Sequence, residues 1–158
     1  MRRQTFMSSA VKTDSPLSSF KSENLLRCFP DFPVTFIPLL EKYCNGENIV
    51  LTPAEIEHVT AHLTRFSRNI LRHTSEIPRG ETITYAELAK RAGCPNAVRA
   101  VGGALHRNPL PVLIPCHRVV AANSIGGYAF GIDLKRALLS FEKTNATHLS
   151  IDVAFSKC

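Results

Sequence analysis

The stretch Val112-Leu113-Ile114-Pro115-Cys116-His117-Arg118-Val119-Val120 constrains this chain more than any other. Apolar residues flank a thiol, an imidazole and a guanidinium. The flanks belong in a core, so the triplet is expected at that core's edge. A cysteine within reach of a histidine can be held partly as thiolate, the nucleophilic form. Adjacent residues seldom point at one another, so Cys116 and His117 need a bend or a bridging water between them. A carboxylate on the far side of the imidazole would orient it. Glu142, expected to end the last helix, is the nearest downstream candidate. A buried cysteine can also be an inert small hydrophobe; residues alone leave both readings open.

The 158 residues fit one domain, or two small ones sharing a core. The chain is 44% apolar and 20% charged, which reads as globular and not disordered. No apolar run approaches the ~18 residues of a membrane helix, and no membrane partner is expected. Met1-Arg2-Arg3-Gln4-Thr5-Phe6 is basic but lacks the apolar stretch of a secretory signal. Five cysteines without a C-x-x-C pair argue against a disulfide framework or a four-cysteine zinc site. A reduced compartment is therefore expected: cytosol, nucleoid or nucleus. The formal charge is +6. Residues 64–142 hold eleven Lys+Arg against five Asp+Glu, so they carry that whole excess. A solvated basic face explains such a segment, and so does a polyanion partner, most often nucleic acid.

Residues 1–35 read as a small β-containing region, with Val34-Thr35-Phe36-Ile37 among its apolar stretches. A short helix is expected over 36–45, closed by Asn45-Gly46, and a strand at Ile49-Val50-Leu51. Thr52-Pro53-Ala54-Glu55 is a capping box with Pro at the first helical position. Ile56, Val59, Leu63, Phe66 and Ile70 then give one long helix face, or two helices broken near Leu63-Thr64. Thr84-Tyr85-Ala86-Glu87 opens a helix to about Ala92. Gly93-Cys94-Pro95 turns, and Asn96 is placed to cap a helix from Ala97 to His106. Two short helices joined by such a turn form a helix-turn-helix pattern. The second is poor in large side chains (Ala97, Ala100, Gly102, Gly103, Ala104), as if a facing helix or a nucleic-acid groove approaches its backbone. Asp133 is expected to cap a last helix that buries Leu134, Ala137, Leu138 and Phe141.

The predicted class is α+β. A small N-terminal β-containing domain (1–63) packs on a mostly helical C-terminal domain (64–142) with a helix-turn-helix and an active-site cysteine segment. A polar tail (143–158) follows.

Ile114-Pro115-Cys116-His117-Arg118-Val119-Val120 resembles the active-site motif of O6-alkylguanine-DNA alkyltransferases. The resemblance extends through Ile77-Pro78-x-Gly80, Thr84-Tyr85-x-x-Leu88-Ala89, Arg99-Ala100-Val101-Gly102-Gly103-Ala104, Asn108-Pro109, Gly126-Gly127-Tyr128, Lys135 and Leu138-Leu139-x-x-Glu142. It covers about residues 64–142. It implies a protein that binds duplex DNA, flips out a guanine alkylated at O6 (and a thymine alkylated at O4), and moves the alkyl group irreversibly to its own cysteine. It implies no metal, no cofactor and a monomer that acts once. By the same resemblance Cys116 is the nucleophile, His117 deprotonates it through a water, and Glu142 orients His117. Tyr85 donates to the base ring nitrogen and lies near a phosphate. Arg99 fills the gap in the stack, Ala100 and Gly102 let the helix into the minor groove, and Asn108 braces the turn before the active-site strand. Carbonyls of Cys116 and Val119 accept the exocyclic amine, and the Ala129 N–H contacts O6. Val119, Tyr128, Ala129 and Phe130 line the pocket, which a large Phe130 should narrow. His58 and His62 are spaced for metal but lack a third ligand. A non-catalytic damage sensor, a helix-turn-helix regulator and a Cys-His hydrolase are the competing readings.

Overall fold

The computed structural model describes residues 22–144. Its N-terminal part carries helices α1 (Ser22–Cys28), α2 (Ile37–Cys44) and α3 (Pro53–Thr60). Then come α4 (Arg65–Ser75), strand β1 (Ile83–Thr84), α5 (Tyr85–Arg91), α6 (Val98–His106), strand β2 (Val119–Val120) and α7 (Ile132–Thr144). The strands form a two-stranded parallel sheet that pairs Ile83 with Val119 and Thr84 with Val120. The class is α+β, with this sheet in the C-terminal half.

Local chemistry explains most helix starts. At α3 the Thr52 side chain accepts from the Glu55 N–H while the Glu55 carboxylate accepts from Thr52 N at 2.7 Å. Thr64 starts α4 by accepting from Ser67 N, so the long periodic run is two helices with the break at Leu63-Thr64. Thr84 caps α5 through Glu87 N at 3.1 Å. Gly46 closes α2 and Gly93 closes the turn after α5, at φ +89° and +73°, values that favour glycine.

Four expectations are corrected. Val34–Phe36 is a 3-10 turn running into α2, not a strand; Pro38 at the start of α2 favours helix entry, and Val34 is exposed with no ladder to join. Ile49–Leu51 is irregular, and Val50 points to solvent. Residues 22–63 therefore contain no strand, while residues 1–21 lie outside the described residues. Asn96 does not cap α6: Ala97 occupies that position without a side-chain bond. Asp133 falls inside the first turn of α7 instead of before it. Lys143 and Thr144 complete α7; the rest of the expected tail lies outside the described residues.

Packing sets the site. Helix α4 lies against α3, α5 and α6, and α5 against α6. Helix α7 packs on a 3-10 turn, Cys116–Arg118, which leads into β2. One core joins both halves: Leu25, Leu40, Ile70, Leu88, Ala104, Ile114, Leu138 and Phe141 are all fully buried within it. Replacing Thr64 with Ala should cost about 1 kcal/mol, the usual worth of an N-cap. Urea unfolding should show a lower midpoint with an unchanged slope.

Candidate active site

Pro115 creates the site's bend. At φ −82° and ψ 63° it centres an inverse γ-turn, closed by Cys116 N donating to Ile114 O at 2.8 Å. The following 3-10 turn buries Cys116, His117 and Arg118 together. Three residues before Pro115, Val112 stands at φ +73°, a conformation that costs a β-branched residue about 1–3 kcal/mol.

Asn108 holds this loop. Its Nδ2 donates to Ile114 O at 2.8 Å and to Cys116 Sγ at 3.1 Å, and its Oδ1 accepts from Leu110 N at 3.0 Å. It is thus both a brace and a partner of the thiol. Burial pushes the Cys116 thiol up; the Asn108 hydrogen bond and the Lys135 charge pull it back only in part. The resting group is a thiol whose proton must be taken by a base. Tyr128 also weighs on the thiol, although its buried hydroxyl has no partner in good hydrogen-bond geometry among the described residues.

The base lies next in the chain. His117 Nε2 is 2.7 Å from Glu142 Oε1, both side chains being fully buried. An ionised carboxylate only accepts, so Nε2 carries the hydrogen and a neutral ring leaves Nδ1 as acceptor. Nδ1 is buried with no hydrogen-bond partner among the described residues. It is the ring atom available to a thiol proton. Burial pushes His117 below its ordinary value, against the pull of Glu142. Burial alone would raise the Glu142 carboxyl, but His117 and Arg118 outweigh it and hold it well below the carboxylate range. Of these two, Arg118 supplies the permanent charge, because His117 is neutral at rest. Arg118 grips Glu142 with Nε at 2.9 Å and a second nitrogen at 2.9 Å. Gly80 N and the Tyr43 hydroxyl complete the set at 3.2 and 2.8 Å.

A cavity of about 330 Å³ opens over the thiol, lined by Tyr85, Gly102, Leu105, His106, Cys116, Gly127, Tyr128 and Ala129. Half-buried Tyr85 starts α5, and its hydroxyl donates to Gly127 O at 3.3 Å. Gly126, at φ +72°, is needed here: a Cβ would sit 3.0 Å from the Tyr85 ring and 3.0 Å from Ala121 N. Lys135 Nζ ties the loop to the sheet, donating to Val119 O at 2.7 Å and Gly127 O at 3.0 Å. Burial pulls its ammonium down to about 8.

Cys116, Tyr85, Gly102, Tyr128 and Ala129 thus share one cavity, with Asn108, His117 and Glu142 behind it. Two expected pocket residues stand elsewhere. Val119 is a core residue whose carbonyl already serves Lys135. The Phe130 ring packs edge-on against Phe29 at 4.6 Å and lines a separate cavity with His58 and His62. The same ring lies 5.5 Å from that of Tyr128, which forms a wall of the cavity over Cys116. Arg99 and Ala100 are exposed on α6. A Cβ on Gly102 would meet nothing within 4 Å, so no helix among the described residues faces this bare surface. Sequence reasoning gave no role to Arg118, Lys135 or Tyr43. The first two stood inside recognised motifs; Tyr43 lies 99 positions from its partner and had no local signal.

A helix-turn-helix pair with a bare outer face, beside a cavity floored by a buried cysteine with a His-Glu pair behind it, defines a helix-turn-helix domain with a thiol at the foot of an open cavity. Residues 65–144 match the family model described as 6-O-methylguanine DNA methyltransferase, DNA binding domain, and the chain belongs to that family. A probable methylated-DNA–protein-cysteine methyltransferase of Acanthamoeba polyphaga mimivirus is 44% identical over 67% of this chain and 69% of its own length. A methylated-DNA–protein-cysteine methyltransferase of Methanosarcina mazei is 49% identical over 52% of each chain. The chain spans about half the length of several archaeal relatives it matches. Among solved structures, Mycobacterium tuberculosis OGT in complex with DNA is similar, with TM-score 0.54 and 41% identity over 59% of this chain and 56% of that one. The O6-methylguanine-DNA methyltransferase of Pyrococcus kodakaraensis gives TM-score 0.58 and 32% identity over 76% and 75%.

Both shifted acid–base groups destabilise the fold in acid. His117 and Glu142 each bind protons less readily when folded than when unfolded. Their stabilisation is complete above the unfolded values, roughly 6.5 and 4.3. Chemical unfolding across pH should therefore show stability falling below about 6.5 through His117 and more steeply below about 4.3 through Glu142. Glu142→Gln should remove the second phase and cost about 3–5 kcal/mol, since Arg118 is left buried without its counter-charge.

Proposed function

We propose that this chain repairs DNA by direct reversal, moving an alkyl group from O6 of guanine to its own Cys116. The observation that carries the reading is the Cys116 thiol under its cavity, hydrogen-bonded by Asn108, with His117 Nδ1 free on a ring fixed by Glu142. A base inside a duplex stack does not reach a thiol buried at the foot of a 330 Å³ cavity, so the lesion is flipped out, at a few kcal/mol. Exposed Arg99 fills the gap in the stack, and the bare Ala100–Gly102 face of α6 enters the minor groove, whose degenerate code suits a sequence-blind scan.

In the reaction His117 takes the Cys116 proton, through a bridging water as the family resemblance implies. The thiolate sulfur forms a bond to the alkyl carbon while the carbon–O6 bond breaks. Tyr85 supplies a proton or hydrogen bond to the ring nitrogen as the guanine leaves, and Ala129 N–H stands on the cavity wall for O6. The thioether has no route back, so each molecule acts once. O4-alkylthymine is a second substrate of the same chemistry. Duplex DNA is the partner. Among the described residues no helix is long and apolar enough to cross a membrane.

Titrating the protein with a duplex holding one O6-methylguanine tests this by intact-mass and peptide mass spectrometry. The expected result is one added methyl, on Cys116, saturating at one per protein. Protein that binds the lesion unmodified would make it a damage sensor instead. Continued turnover would make it a hydrolase. Cys116→Ser should keep lesion binding and lose all transfer. Gly102→Ala should raise stability by up to about 1 kcal/mol, the helix-propensity difference, because the added methyl meets no protein atom. A larger Gly102→Leu should instead weaken DNA binding in a fluorescence titration.

A further inference from the structure

Glu142 has a partner that the reaction above does not use. Tyr43, on α2, is 2% exposed, and its hydroxyl donates to Glu142 Oε1 at 2.8 Å. That same oxygen faces His117 Nε2 at 2.7 Å and one Arg118 nitrogen at 2.9 Å. Three donors thus share one oxygen, whereas Oε2 receives only Arg118 Nε and Gly80 N. Packing fixes the phenol in place. The Arg79 guanidinium stacks 4.8 Å from the Tyr43 ring and 4.8 Å from the Phe141 ring, and the two rings lie 5.6 Å apart. Burial and Glu142 keep the hydroxyl protonated, so it can only donate to the carboxylate.

We propose that Tyr43 is a positioning residue of the alkyl-acceptor site, sharing Glu142 Oε1 with His117 and so setting how strongly the carboxylate holds the proton-accepting ring. The inference rests on Cys116 being the acceptor thiol. Each hydrogen bond to an anion draws charge from it. With the phenol present, Oε1 gives less to His117; with the phenol gone, it gives more and the ring becomes the better base. The N-terminal part of the chain then reaches the reacting centre through one hydroxyl. The other charged or titratable groups facing this path are Arg118 and Lys135 beside His117, Lys135, Tyr85 and Tyr128 beside Cys116, Arg79, Arg118 and Tyr128 beside Tyr43, and Tyr128 beside Glu142. None of them changes in the test.

The test is the pH dependence of Cys116 alkylation by iodoacetamide, resolved by peptide mass spectrometry on the full chain. Tyr43→Phe should move the midpoint of that profile down by about half a pH unit. It should also shift the His117 ring ¹⁵N resonances. Thr64→Ala, destabilised at a distance, should leave the midpoint in place. Site-specific 3-fluorotyrosine at position 43 keeps ring and hydroxyl but donates more strongly, and should move the midpoint up. A folded Tyr43→Phe protein with an unchanged or raised midpoint overturns the proposal. If that variant does not fold, an unchanged or lowered midpoint with 3-fluorotyrosine overturns it. Wild-type protein that fails to accept methyl from DNA, with the iodoacetamide midpoint still moving, would sink the repair reading and leave this coupling supported.

Discussion

The Glu142 carboxylate is the point on which the structure turns. It receives hydrogen bonds from His117, from Arg118 twice, from Gly80 and from Tyr43. Those donors come from the turn before β2, the loop before β1 and α2, while Glu142 itself sits on α7. An ionised carboxylate taken out of water is tolerated only when such donors replace the lost solvation. Chain segments far apart in sequence are thereby held at fixed distances from one buried charge. The same contacts fix the His117 ring, so the demand of burying a carboxylate and the demand of presenting a base are met by one arrangement.

Around this centre the backbone accepts local cost. Val112 takes a left-handed conformation that β-branched residues avoid. Asn108 secures the segment with hydrogen bonds at both ends, and its remaining amide hydrogen reaches the sulfur. Bracing the loop and polarising the thiol are therefore one residue's task. Lys135 makes a similar link, from α7 to the β2 carbonyl and to the loop carrying Tyr128.

Much of this was legible beforehand. The capping signals at Thr52 and Thr84 act within four residues, so a short window contains their whole cause. The Asn108, Cys116, His117 and Glu142 set was legible through motif resemblance, not through periodicity. Elements that depend on a distant partner were misread. Val34–Ile37 and Ile49–Leu51 have strand-like composition, yet no described strand lies beside them, and β preference expresses contact with neighbours more than backbone taste. Phe130 follows Tyr128 by two positions, and only the fold sets its ring between two others, 4.6 Å from Phe29 and 5.5 Å from Tyr128.

The sequence by itself determined where α3 and α5 start and which stretch meets the core's edge. Those are properties of short windows and of residue types in order. Only the tertiary structure decided that Tyr43 and Arg118 share the Glu142 charge, that Gly102 faces open space, and that His117 Nδ1 is the unpaired ring atom. A hydrogen bond between positions 43 and 142 leaves no trace in the spacing of either, because it exists only once the intervening 98 residues have folded around it.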